Sequence, residues 1–276
     1  MIEKAFSFYG NAEAKNLHLF IECGEQHLAF WSEKNSERKT IVSFELFYFE
    51  GKVLSFKDIF EKIRLQSGIL NHKYNAVTII WENNLCICVP QQYFSSGMLD
   101  SYIDYTYAPG NASGSLYTYN RGFSVAYKTD REQYKVLMQC FPTAMHIHKY
   151  NSFAKAASSV NNGHPLLMYV AMFHNYYIIS AFNNGQLQFI NRLQYDSIPE
   201  TVTAIEDATK QLSWHAANTM LIVSGLIDEQ SALFNQLAKY FAQVKMDDAG
   251  EYGFEYDAEA LSHSPHYYLP YFKFSA

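Results

Sequence analysis

The sequence predicts a duplicated α/β fold: two similar subdomains, each built on a mixed sheet with helices on its faces. Three observations carry this. Leu17 onward and Leu166 onward, 149 residues apart, begin the same order of apolar runs. Each half opens with three strand-like runs. Each then alternates amphipathic helix-like stretches with apolar strand-like ones, which implies a sheet covered by helices.

The first half starts with "LHLFIECGEQHLAFW", residues 17–31, two apolar strands around a tight turn, and continues with the strand "KTIVSFELFYF", residues 39–49. "SFKDIFEKIRLQSG" follows as a helix. Ser55 and Asp58 have capping-box spacing, Phe56, Ile59, Phe60 and Ile63 share one face, and Gly68 is a fitting stop. "AVTIIW" and "LCICV" read as strands joined at Asn83-Asn84. Tyr102, Tyr105 and Tyr107 in "SYIDYTY" form either a binding stripe or a partly buried edge. Residues 108–122 are rich in turn formers and read as an exposed loop, with Asn111-Ala-Ser113 matching a glycosylation acceptor. The strand "FSVAY", the helix "TDREQYKVLMQCF" with Thr129 and Glu132 at capping positions, the strand "AMHIH" and the helix "SFAKAASSV" complete the half. The breaker cluster "NNGHP" divides the chain into subdomains 1–162 and 163–276.

The second half repeats the order: strands "LLMYVAM", "YYIISAF" and "QLQFINRLQY", the last after the turn Asn183-Asn184-Gly185, then a helix capped by Ser197 and Glu200. "TMLIVSG" is apolar throughout, as a strand buried on both faces requires. In "DEQSALFNQLAKYF", Leu233, Phe234, Leu237, Tyr240 and Phe241 lie on one helical face. The aromatic terminus "HYYLPYFKFSA" is expected to pack back on the last sheet, with a docking segment as the other reading.

Composition narrows the function classes. With 49% hydrophobic and 17% charged residues the chain has the makings of a large core and is not disordered. Net charge is −6 and Lys and Arg do not cluster, which argues against nucleic acid as partner. No apolar run reaches about 18 residues, and "MIEKAFSFYGNAEAK" has no secretory core, so a cytoplasmic, non-spanning protein is expected. Cys23, Cys86, Cys88 and Cys140 form no C-x-x-C pair and read as reduced. Nothing beside Cys23 would activate it. His146 and His148 share a strand face without further ligands nearby, so no metal site is expected. Neither a nucleophile elbow nor a P-loop is present, and no residue is assigned a catalytic role.

A β-β-β-α-β-α unit present twice resembles the actin-like ATPase superfamily, with ribonuclease H-like subdomains flanking a cleft. More narrowly the chain resembles a bacterial family of unknown function related to the actin-like cytoplasmic proteins of type IV pilus and type II secretion assembly. The resemblance covers about residues 15–245 and rests on "FSVAYKTDREQYKVLMQCFPTAMHIHKYNSFAKAA" and "LLMYVAMFHNYYIISAFNNGQLQFINR". In active members each half opens on a hairpin whose turn carries Asp-x-Gly, the glycine letting backbone N–H groups reach phosphate and the carboxylate holding the metal's water. Glu22 and Gly24 take these positions in the first hairpin, with Glu25 beside them; Ala171 and Phe173 take them in the second. The adenosine motif, usually paired glycines, is matched by Ser224-Gly225. Ala171 has no ligand oxygen, and Phe173 would fill the phosphate's space and block the cleft. The resemblance therefore implies a degenerate, non-hydrolysing binding or assembly module with a protein or peptide partner and no cofactor; homodimerisation stays open. The alternative is a nucleotide-dependent ATPase or small-molecule kinase using Mg-ATP through Glu22, Gly24, Glu25, Ser224 and Gly225.

Overall fold

Apolar runs that alternate or stay apolar throughout pair into sheets because each backbone N–H and C=O removed from water needs a partner. In the computed structural model, which describes residues 1–10, 16–34, 39–50, 54–107, 114–120, 122–159, 164–256 and 263–273, they do so in two compact units. The first comprises Met1–Asn151 and Phe254–Ser262, the second Ser152–Gly253 and His263–Ala276. The expected division at 162/163 falls on residues outside the described set; the change of unit lies at Asn151/Ser152.

Unit 1 contains β1 (Ile2–Tyr9), β2 (Leu17–Cys23), β3 (His27–Lys34), β4 (Lys39–Phe49), α1 (Phe56–Gln66), β5 (Ala76–Trp81), β6 (Cys86–Pro90), α2 (Leu99–Thr106), β7 (Leu116–Tyr119), β8 (Phe123–Tyr127), α3 (Arg131–Cys140) and β9 (Met145–His148). Helix α4 (Lys149–Ser159) follows β9 directly. Unit 2 contains β10 (Leu166–Met172), β11 (Tyr176–Asn183), β12 (Gln186–Gln194), α5 (Ile198–Gln211), β13 (Met220–Gly225), α6 (Ala232–Tyr240) and β14 (Gln243–Met246). The chain then returns to unit 1 as β15 (Phe254–Tyr256), which pairs with β4, and ends in unit 2 with α7 (Leu269–Phe272).

The two sheets share one plan. In unit 1 the order β4-β3-β2-β5-β9 is antiparallel through the first three strands and parallel from β2 onward. In unit 2, β12-β11-β10-β13-β14 does the same. Glu22 faces Ala29 and Ile80 across its neighbouring strands, as Ala171 faces Ile178 and Ser224. Strand β13 is central and buried from Leu221 on, which is why it is apolar throughout. Ser55 and Ser197 cap α1 and α5, accepting from the N–H of Asp58 and Glu200.

Four features differ from the sequence expectation. Strand β1 precedes the three expected strands and pairs antiparallel with β4; its half-exposed, mixed pattern hides it. "SYIDYTY", to which the sequence reading assigned no helix or strand, lies in α2, with Tyr107 at its C-cap. Asp130, not Thr129, caps α3, accepting from the N–H of Glu132 and Gln133 at 2.8 and 3.0 Å. Helix α4 begins at Lys149, three residues before the expected start. The Asn111 acceptor lies outside the described residues.

An additional three-stranded sheet, β6-β8-β7, with α2 against it, is inserted between β5 and α3. The corresponding connection in unit 2, from β13 to α6, has room only for residues 226–231. The C-terminal aromatics pack inward as expected: Tyr268, Leu269 and Phe272 are fully buried in unit 2.

Candidate functional site

In open α/β sheets, ligands approach the carboxyl ends of the parallel strands. Glu22 and Cys23 close β2 at that end, beside Ile80 and Trp81 of β5, and β9 ends there at His148. The turn that follows is tight, with the Gly24 N–H donating to the His27 carbonyl at 3.0 Å.

The Glu22 carboxylate is fully buried and already engaged. The Lys149 ammonium donates to its Oε2, and His27 Nε2 lies 3.2 Å from its Oε1. Lys149 itself is fully buried. Burial alone would push the Glu22 carboxyl upward; the Lys149 charge and the His27 contact outweigh it, and the net shift is downward. Glu22 is thus held ionised by an internal cation.

Gly24 has a packing role here. Its φ is not positive, so left-handed backbone does not require glycine. A Cβ at Gly24 would instead fall 2.1 Å from His27 Cε1. Only a hydrogen there lets the imidazole lie over the turn and reach Glu22. Glu25 points outward from the turn and is exposed. The Gly24 carbonyl accepts from Gln133 Nε2 of α3 at 3.2 Å.

Cys23 is buried, and its thiol is pushed well above the ordinary range by burial first and then by Asp130, Glu82 and Glu22. A thiol beside three carboxylates stays protonated and is a poor nucleophile. His146 accepts from Trp81 Nε1 at 3.0 Å and stacks on that indole. His148 is buried against Tyr127 and Tyr150, and burial drives its imidazole down to about 3. Among the described residues no group of three or more His, Cys, Asp or Glu is arranged to hold a metal ion.

The hairpin of unit 2 repeats the turn with different chemistry. The Phe173 N–H donates to the Tyr176 carbonyl at 2.9 Å, matching Gly24 and His27. Phe173 is buried, stacked on Tyr176 with centroids 4.5 Å apart, and meets Tyr271 edge-on at 5.5 Å. The Arg192 guanidinium covers the Tyr176 ring at 4.1 Å. Where unit 1 places an ion pair beneath its turn, unit 2 places an aromatic stack and the methyl of Ala171. Ser224 is buried, and Gly225 ends β13 at φ 85° with the Met172 carbonyl 2.0 Å from where a Cβ would stand. Gly225 is therefore required by the backbone approach of β10, whatever binds nearby.

Unit 2 has its own buried charge cluster. Lys273 Nζ donates to Asp247 Oδ2 at 2.7 Å and to Tyr252 OH at 2.8 Å, and Tyr252 OH donates to Asp247 Oδ1 at 2.8 Å. The ammonium also sits over the Tyr169 ring at 4.9 Å.

Sequence reasoning singled out Glu22 and Gly24 but missed Lys149 and His27. Lys149 lies 127 residues from Glu22, beyond any local pattern. His27 stands in the same hairpin, and its place over a glycine was the available signal.

Comparison with known proteins agrees with this architecture. A Bacteroides thetaiotaomicron protein with actin-like ATPase fold and unknown function aligns over 85% of this chain and 91% of its own, with a TM-score of 0.74 at 18% identity. The PilM–PilN type IV pilus biogenesis complex aligns over 96% of this chain and 97% of the matched chain, with a TM-score of 0.64 at 10% identity. Both establish the actin-like fold. No curated protein matches the sequence. The family profile described as protein of unknown function (DUF3822) matches residues 9–244, and the chain belongs to that family.

Proposed function

We propose that this actin-like protein is a cytosolic, non-hydrolysing binding or assembly module. The carrying observation is the enclosure of Glu22. A carboxylate without solvent exposure, bonded to an equally buried lysine, has no free oxygen for a metal's water shell. Opening that pair for Mg²⁺ would leave Lys149 charged and uncompensated, a cost of about 3–5 kcal/mol. The second hairpin adds nothing to recover it, since Ala171 has no ligand atom and the Phe173 ring is committed to its stack. Phosphoryl transfer depends on complete charge positioning. A partner protein is supported by analogy with PilM, whose solved structure is a complex with PilN.

Titration calorimetry with Mg-ATP tests the reading. It predicts no affinity tighter than about 1 mM, near −4 kcal/mol, and no phosphate release. Micromolar Mg-ATP binding at one site per chain would replace it with the nucleotide-dependent reading.

A further inference from the structure

Each unit places a buried charge directly after the fifth strand of the shared order. In unit 1 it is Lys149, after β9, and Glu22 of β2 answers it. In unit 2 it is Asp247, after β14, whose N–H extends the ladder by donating to the Val223 carbonyl at 2.8 Å. The position equivalent to Glu22 is Ala171, which has no charge to offer. The counter-charge comes instead from Lys273 of the C-terminal segment.

The surroundings of the Lys273 ammonium are those of a recognition site. Asp247 Oδ2 accepts from it at 2.7 Å and Tyr252 OH at 2.8 Å. Three aromatic rings stand around it, with centroids at 4.5 Å for Tyr252, 4.9 Å for Tyr169 and 5.9 Å for Phe153 of α4. Aromatic faces at such distances attract cations, as in the cages that bind quaternary ammonium groups. The two oxygen acceptors here suit an ammonium that has hydrogens to donate. The polar half of the cage stands without its occupant. Tyr252 OH donates to Asp247 Oδ1 at 2.8 Å, and the turn joining them is fixed by Asp248, whose carboxylate accepts from the Gly250 N–H at 2.9 Å.

The rest of the segment meets the carboxyl ends of β10 and β13, the side from which open α/β sheets take ligands. Tyr271 packs edge-on against Phe173 at 5.5 Å. His266 Nε2 donates to the Ile227 carbonyl at 2.9 Å, and Tyr267 OH donates to Asp228 Oδ2 at 2.7 Å. These last two bonds clamp the segment near the surface, where the Asp228 side chain is 58% exposed.

We infer that Asp247, Tyr252, Tyr169 and Phe153 form a primary-ammonium site, and that residues 263–273 are its built-in peptide ligand, displaceable by a partner segment that carries a lysine after aromatic residues. The inference rests on the binding-module reading and gives the partner its chemistry.

Chemical rescue tests the cage. Lys273→Ala removes the part of the side chain that n-propylammonium replaces. That ion should raise the variant's melting temperature by about 2 °C or more, while 1-propanol and tetramethylammonium do not. Equal rescue by 1-propanol would mean simple filling of space and would overturn the inference. Displacement is tested on the full chain by fluorescence anisotropy with a labelled peptide of residues 263–276, which decides the matter alone where Lys273→Ala does not fold. His266→Ala with Tyr267→Phe loosens the clamp and leaves the cage intact. This variant should bind the peptide at least about fivefold more tightly than the native chain, because the internal ligand competes less. The same peptide with Lys273→Met should not bind. No binding of the native-sequence peptide to the loosened chain, or equal binding of the Lys273→Met peptide, would overturn the inference and leave the terminus a permanent part of the core. Mg-ATP calorimetry on the same samples keeps the two ideas apart. Micromolar nucleotide binding overturns the non-hydrolysing reading and the support drawn from it, whereas a loosened chain that ignores both Mg-ATP and the peptide overturns the built-in ligand alone.

Discussion

Lys149 and Glu22 form a fully buried ion pair, and such a pair is fragile to the loss of one partner. Lys149→Met should destabilise unit 1 by about 3–5 kcal/mol, because it strands a buried carboxylate, while Glu22→Leu combined with Lys149→Met should recover most of that loss. Urea unfolding of the four proteins of this cycle measures the coupling; additive losses would contradict the pairing. Gly24→Ala tests the His27 contact. A Cβ 2.1 Å from the ring must displace it, at a cost of about 1–3 kcal/mol, and His27→Ala in the same chain should relieve the clash. His148 gives a pH signature. Its folded value of about 3 lies below the ordinary histidine value, so between pH 6.5 and 3 the unfolded chain binds the extra proton and stability falls as pH falls. At pH 5 the loss is about 2 kcal/mol by linkage. His148→Gln should remove that part of the acid sensitivity, read as a flatter plot of unfolding free energy against pH. His18 and His146, lowered by partial burial, act in the same direction and remain in the variant.

At the level of elements, legibility follows burial and capping. Helices α1 and α5 announce themselves because a serine cap and an apolar stripe coincide, and β13 because a strand covered on both faces must be apolar. Strand β1 is missed because, in the order β1-β4, it is an edge with Lys4 and Glu3 among its residues; Lys4 is drawn in by Glu45, which its ammonium reaches at 2.9 Å. Helix α2 is missed because Tyr102 and Tyr105 have helical spacing while Tyr105 and Tyr107 have strand spacing, and only the fold decides between them. The α3 cap is a case where two adjacent residues both qualify chemically. The carboxylate of Asp130 accepts two N–H groups, so Asp130→Ala should cost about 1 kcal/mol, within the usual range for a lost cap. Thr129 is buried and does not cap, so a thermal-melt comparison with Thr129→Ser, which keeps the hydroxyl, should show the larger loss for Asp130→Ala.

At the scale of the whole molecule, the repeated sheet order was readable from the recurrence of apolar runs, but the path of the chain between the units was not. The C-terminal third visits both units: β15 pairs with β4 in unit 1, and residues 263–273 return to unit 2. No local pattern encodes that return, since the aromatic terminus could satisfy its apolar rings against any open core. What fixes it is chemistry specific to unit 2. Lys273 finds Asp247 and Tyr252 there, and Phe272 and Leu269 are fully buried. Phe272→Ala should therefore cost about 3–5 kcal/mol through the cavity it leaves, and Lys273→Met a comparable amount by stranding Asp247. Native-state hydrogen exchange locates the damage, because protection in each unit reports its own opening free energy. Both variants should lose protection in β10, β11 and β13 while β2, β3 and β5 keep theirs. Equal loss in both sets would mean that the two units open as one cooperative body, and the terminus would then be a lock on the whole chain instead of on unit 2.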